Sequence, residues 1–142
     1  MTDHNPVAQA LEAYKAAVLA KDVDAFARLY HPQVQVFDTW DRWSYDGLPA
    51  WRAMAQGWFG SLGSERVAVR FEDVQARVSG DLATGHALVT YAALAEDGGE
   101  LRSLTNRMSL VLTRDGGGEW KIVHEHSSSP LDFTTKAPMF RR

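Results

Sequence analysis

Two histidines, His124 and His126, stand two residues apart in the stretch Trp120-Lys121-Ile122-Val123-His124-Glu125-His126-Ser127-Ser128-Ser129-Pro130. An aromatic and two β-branched residues open this stretch as a strand, and a serine run and a proline close it. Side chains alternate along a strand, so the two imidazoles leave one face, roughly 7 Å apart. Imidazole takes or gives a proton near neutral pH, which makes the pair a candidate for acid–base work. Half-exposed histidines hydrogen-bonded to their neighbours fit the pattern equally well. His-x-His can also supply two cis metal ligands. A third would come from His31, His86 or Asp38, and no spacing selects one, so no metal site and no cofactor is assigned. Asp38 follows apolar Val36 and Phe37 and precedes Trp40. Its carboxylate is therefore expected to be partly desolvated, with a raised pKa; capping the Thr39-Trp40 turn is the other reading. Arg107 is a lone guanidinium in an otherwise neutral strand and could bind an anion bidentately. It could equally ion-pair on the outer sheet face, for instance with Glu125. Thr105, Arg107 and Ser109 share one face and Leu104, Met108, Leu110 and Leu112 the other. The pattern does not say which face looks into a pocket.

These groups must be held by a core, and the composition allows one. The chain has 142 residues, 45% hydrophobic and 23% charged, with net charge −3, as expected of one globular domain. The clustered arginines are Arg141 and Arg142, which offer no phosphate-tracking surface, so nucleic acid is not an expected partner. No apolar run reaches membrane-spanning length. The opening residues are polar and lack a signal-peptide pattern, so a cytoplasmic protein is expected. The absence of cysteine excludes disulfides, a thiol nucleophile and thiolate metal sites. Of five tryptophans, Trp51 and Trp58 sit at helical spacing and read mainly as packing, while Trp40 and Trp43 could stack on a flat ligand at a pocket rim. Trp40, Trp58 and Tyr30 are the candidate ligand-contacting aromatics.

Asn5-Pro6 starts a first helix, whose stripe is Val7, Ala10, Leu11, Tyr14, Ala17 and Val18. A second short helix carries Val23, Phe26, Ala27 and Tyr30 on one face and is ended by His31-Pro32. Residues 34–38 alternate as a strand. Residues 41–45 read as a turn and a short strand, and residues 48–62 as a third helix. Strands follow over residues 67–78, 83–94, 101–113 and 120–127, separated by Gly-rich turns. Helices first and long antiparallel strands afterwards predict an α+β fold, with the helices on one face of a curved sheet. A hollow at the open end of such a sheet is where a small molecule would sit.

The order of elements, with three stretches of sequence, resembles the nuclear transport factor 2-like superfamily in its SnoaL-like branch. The stretches are residues 16–32, Tyr45-Asp46-Gly47 leading into the third helix, and Trp120 to Pro130. The last is similar to the closing strand of the calcium/calmodulin-dependent kinase II association domain and its bacterial stand-alone relatives. The resemblance implies a cone-shaped curved antiparallel sheet wrapped around N-terminal helices, the cystatin-like arrangement. It implies a single domain over residues 1–142, with its core at about 7–130 and an irregular tail at 131–142. Ketosteroid isomerases, more distant members, place a general-base aspartate where Asp38 falls and an oxyanion-binding tyrosine where Tyr14 falls; a core tyrosine is the other reading of Tyr14. Their second, protonated aspartate has no counterpart in Thr105-Asn106-Arg107-Met108-Ser109-Leu110. Arg107 resembles the pocket arginine of the association domain.

Two functions follow as expectations. The first is a small-molecule enzyme of isomerase, cyclase or dehydratase type, acting by proton abstraction on an apolar carbonyl or carboxylate compound. Asp38 would be the base, Tyr14 and His124 its catalytic partners, and Arg107 and His126 would contact the substrate. The second is a non-catalytic oligomerisation or ligand-sensing module. A homodimer through the outer sheet face is expected in either case, because one layer of helices covers one side only.

Overall fold

The computed structural model describes residues 5–142; the polar opening stretch at residues 1–4 lies outside the described residues. Helix α1 spans Pro6–Ala20, with the Asn5 side chain accepting from the Val7 amide at 2.8 Å. Lys21 closes it in a left-handed conformation. Helix α2, Val23–Ala27, is capped by Asp22, whose carboxylate accepts from the Ala25 amide. Strand β1 is Tyr30–Phe37, β2 is Tyr45–Asp46, and helix α3 is Leu48–Ser61. The long strands β3 Arg66–Ser79, β4 Leu82–Leu94, β5 Glu100–Arg114 and β6 Trp120–Ser128 complete the chain. The six strands form one curled, unclosed sheet in the order β2-β1-β6-β5-β4-β3. The helices lie on its inner face, in the α+β arrangement that the order of elements predicts.

Two details differ from the sequence reading. Tyr30 and His31-Pro32 open β1 instead of closing α2, which stops at Ala27. The β1–β6 pairing skips register between Tyr30 and Gln35, so Pro32, which has no amide hydrogen to give, falls where no ladder bond is needed. That pairing is also parallel, whereas every other pairing in the sheet is antiparallel. The tail is held against the sheet: Leu131 bridges Pro138, the Thr105 amide donates to the Phe140 carbonyl, and Phe140 stacks on Trp40.

The inner face of β5 carries Met108, Leu110 and Leu112, all nearly inaccessible, so its apolar face packs on the helices. Helix α1 comes close to β4 at Gly85, where a Cβ would stand 2.5 Å from Val7 Cγ1 and 3.0 Å from the Gln75 carbonyl oxygen. A glycine is what lets helix and strand meet there. On β6 the pairing with β5 shifts between Val111 and Leu112, so Val123 is an extra residue. Ile122 pairs with Leu112 and Glu125 with Leu110, and both face inward.

Candidate functional site

The open end of the sheet, α1, α3 and the loop after β1 enclose a cavity of about 730 Å³. That volume suits a drug-sized ligand. Its apolar wall comes from Trp51, Met54 and Trp58 on α3, with Val67, Ala93 and Leu104 from the strands. Polar groups are few. Asp38 enters at the end of β1, Tyr14 from α1, Tyr91 from β4 and Asn106 from β5, while Arg42 and Arg102 lie toward the rim.

Asp38 leaves β1 on the same side as buried Val34 and Val36. Burial pushes its carboxyl pKa above the usual range, and hydrogen bonds from Ser127 and from the Thr39 and Trp40 amides work against that rise. The Ser127 hydroxyl donates to Asp38 Oδ1 at 3.0 Å. Tyr14 sits in α1 against Phe26 and Phe71, and its hydroxyl lies 2.9 Å from that of Tyr91. Burial raises both phenol pKa values, so both hydroxyls keep their protons near neutrality. One proton is used between them, and the other is available to an acceptor in the cavity.

Behind this wall Glu125 is 2% exposed, and the Tyr30 hydroxyl donates to its Oε1 at 2.7 Å. Burial, with a smaller contribution from Asp38, raises its pKa to about 8 against the bond from Tyr30, so near neutrality it is a carboxylic acid. The Trp51 indole N–H lies buried with no hydrogen bond of ordinary geometry.

The candidate residues thus divide in two. Tyr14, Asp38, Trp40 and Trp58 line one cavity. Tyr30 is buried behind it on Glu125 and does not line it. His124, His126 and Arg107 are not in it. The extra residue Val123 turns both histidines to the outer face, where they pack edge-on against Phe37 and His124 Nδ1 lies 2.8 Å from the Gln35 carbonyl oxygen. Arg107 is exposed on that outer face and donates to Ser128 Oγ at 3.2 Å, while Glu125, one possible partner for it there, faces inward on Tyr30. Expectations that place these three in the cavity are therefore corrected. Tyr91, Asn106, Glu125 and Ser127 went unmarked. Asn106 had a visible signal, one amide on the face otherwise made of Leu104, Met108, Leu110 and Leu112. Among the described residues, no group of three or more His, Cys, Asp or Glu side chains is placed to hold a metal ion. No helix among them is long and apolar enough to cross a membrane.

A profile for the SnoaL-like domain matches residues 7–132. A nuclear transport factor 2-like protein of unknown function from Pseudomonas putida KT2440 superposes with a TM-score of 0.82 at 24% identity, over 96% of this chain and 92% of that one. The putative calcium/calmodulin-dependent protein kinase II association domain from Xanthomonas campestris gives 0.74 at 17% identity, over 90% and 88% of the two chains. An uncharacterised protein with a cystatin-like fold from Caulobacter vibrioides gives 0.71 at 15% identity, over 87% and 86%. At these identities the likeness is one of fold. Among curated proteins, none matches significantly.

Proposed function

The chain belongs to the SnoaL-like domain family, and on that premise we propose that it binds an apolar carbonyl compound and abstracts a proton beside the carbonyl, with Asp38 as the base. One observation carries this reading: a carboxylate whose pKa is raised by burial opens on an apolar cavity that also holds the Tyr14–Tyr91 hydroxyl pair. A desolvated carboxylate is a stronger base than one in water. As the proton leaves carbon, negative charge grows on the carbonyl oxygen, and a phenol O–H donates to it. The reaction needs no redox partner, since the proton returned at another position completes an isomerisation. With loss of a leaving group, or attack on a second carbonyl, it completes a dehydration or a cyclisation.

The test is deuterium exchange at the carbon beside the carbonyl of 2-tetralone, followed by NMR in heavy water. The wild-type protein should accelerate exchange, and Asp38→Asn should lose on the order of 10²–10⁴-fold of it while keeping 2-tetralone affinity. Exchange no faster than buffer, or undiminished in the variant, would rule the base out. A homodimer through the outer face of β3–β6 belongs to the same proposal. What supports it is the half-buried Leu88 and Val111 beside exposed Leu82 on the side that the helices leave open.

A further inference from the structure

We propose that His124 and His126 hold a divalent transition-metal ion, with zinc as the type case, and that the same pair on a second copy of the chain completes its coordination across the outer sheet face. This rests on the reading of that face as the dimer contact and adds a metal ion to it. The cavity chemistry leaves both imidazoles unused. They stand on β6, an interior strand of the sheet, with ring centroids 6.4 Å apart. Phe37 on β1 packs edge-on against both, at 5.0 and 5.5 Å. The Gln35 carbonyl can only accept, so His124 Nδ1, 2.8 Å from it, carries the hydrogen and Nε2 carries the lone pair. Metal-bound histidines almost always donate their other ring N–H in this way, to a carboxylate, a water or a backbone carbonyl. His126 is exposed, and its ring makes no hydrogen bond among the described residues. With metal–nitrogen bonds of about 2.0–2.1 Å, two imidazoles on a tetrahedral ion stand with centroids roughly 5 Å apart. A small turn of the His126 ring, which no hydrogen bond holds, closes the difference.

Within one chain the site stops at two ligands. His126 pairs across the sheet with Ser109 on β5 and Phe37 on β1, and His124 with Val111 and Gln35. His86, the next imidazole in the row, lies beyond Ser109, about 10 Å away at two strand spacings. No third imidazole or carboxylate joins the pair among the described residues. A structural zinc ion takes four protein ligands. An isologous contact sets the same patch of two copies face to face, so a two-fold axis beside the pair supplies the other two imidazoles. The pair also adjoins the apolar strip of that contact, since Val111 is the cross-strand partner of His124. Imidazole suits zinc, nickel and copper, whereas magnesium and calcium take oxygen ligands.

The probe is zinc chloride, titrated by calorimetry into the untagged chain after EDTA treatment and dialysis. Light scattering on a dilution series, in zinc or in EDTA, follows the dimer. Wild type should bind one zinc ion per two chains, and zinc should lower the dimer dissociation constant about ten-fold or more. Magnesium chloride should do neither. His126→Gln and His124→Gln should each lose the zinc binding and leave a dimer indifferent to zinc, and His126→Gln should unfold in urea as wild type does in EDTA. His86→Gln, which removes an exposed histidine outside the pair, should behave as wild type. One zinc ion per chain with an unaltered dimer marks an adventitious ion only and overturns the inference, as does binding that survives His126→Gln or falls with His86→Gln. A dimer of equal strength in zinc and in EDTA removes the metal ion and leaves the dimer contact standing. A monomer in both removes the two readings together.

Discussion

Glu125→Gln should make the protein more stable in alkali than the wild type. In the folded chain the carboxyl pKa stands at about 8, against an ordinary 4.5, with burial as the largest cause. Between those two values the native state holds a proton that the unfolded chain has released. Stability owed to the neutral form is therefore complete below about pH 4.5 and is lost as pH rises through the folded value. At about 1.36 kcal/mol per pKa unit, the loss between pH 5 and pH 9 amounts to roughly 4 kcal/mol. That is a large share of the 5–15 kcal/mol by which a domain of this size is typically stable. Glutamine keeps an oxygen to accept from Tyr30 and carries no charge at any pH. Urea unfolding followed by tryptophan fluorescence at pH 5, 7 and 9 gives the difference between the two proteins, in which most other titrating groups cancel. The two should agree within about 1 kcal/mol at pH 5, with the variant ahead by several kcal/mol at pH 9. Parallel curves, or a variant less stable at every pH, would refute the buried neutral acid.

Three further outcomes follow from the same coordinates. Gly85→Ala should destabilise by roughly 1–3 kcal/mol in chemical unfolding, because the added Cβ meets Val7 and the Gln75 carbonyl. Arg107→Met should leave calorimetric binding of 2-tetralone unchanged and shift stability by no more than about 0.5 kcal/mol, since it removes one exposed bond to Ser128. Light scattering at micromolar concentration should give the mass of a dimer, and Leu88→Lys with Val111→Lys on the outer face should return the monomer; a wild-type monomer would refute the pairing.

Much of the scaffold is written in local pattern. Asn5-Pro6 and the Val7-to-Val18 stripe place α1, and the Gly-rich turns bound the long strands within a residue or two. The reason is that caps, helical period and turn chemistry act over a few residues. Tyr14, Asp38, Trp40 and Trp58 line the cavity; the resemblance marked Tyr14 and Asp38, and Trp40 followed Asp38 just past the end of β1, while the helical spacing of Trp58 by itself read mainly as packing. The face of β6 was not legible. Counting by twos from buried Ile122 puts His124 and His126 inside and Glu125 outside, and the protein does the reverse, because β6 holds one residue more than its β5 partner at Val123. A bulge is a product of pairing between strands that the sequence separates by a turn, so nothing within β6 announces it. Alternation therefore showed that two faces exist, while the partner strand decided which face carries the buried acid and which carries the histidines.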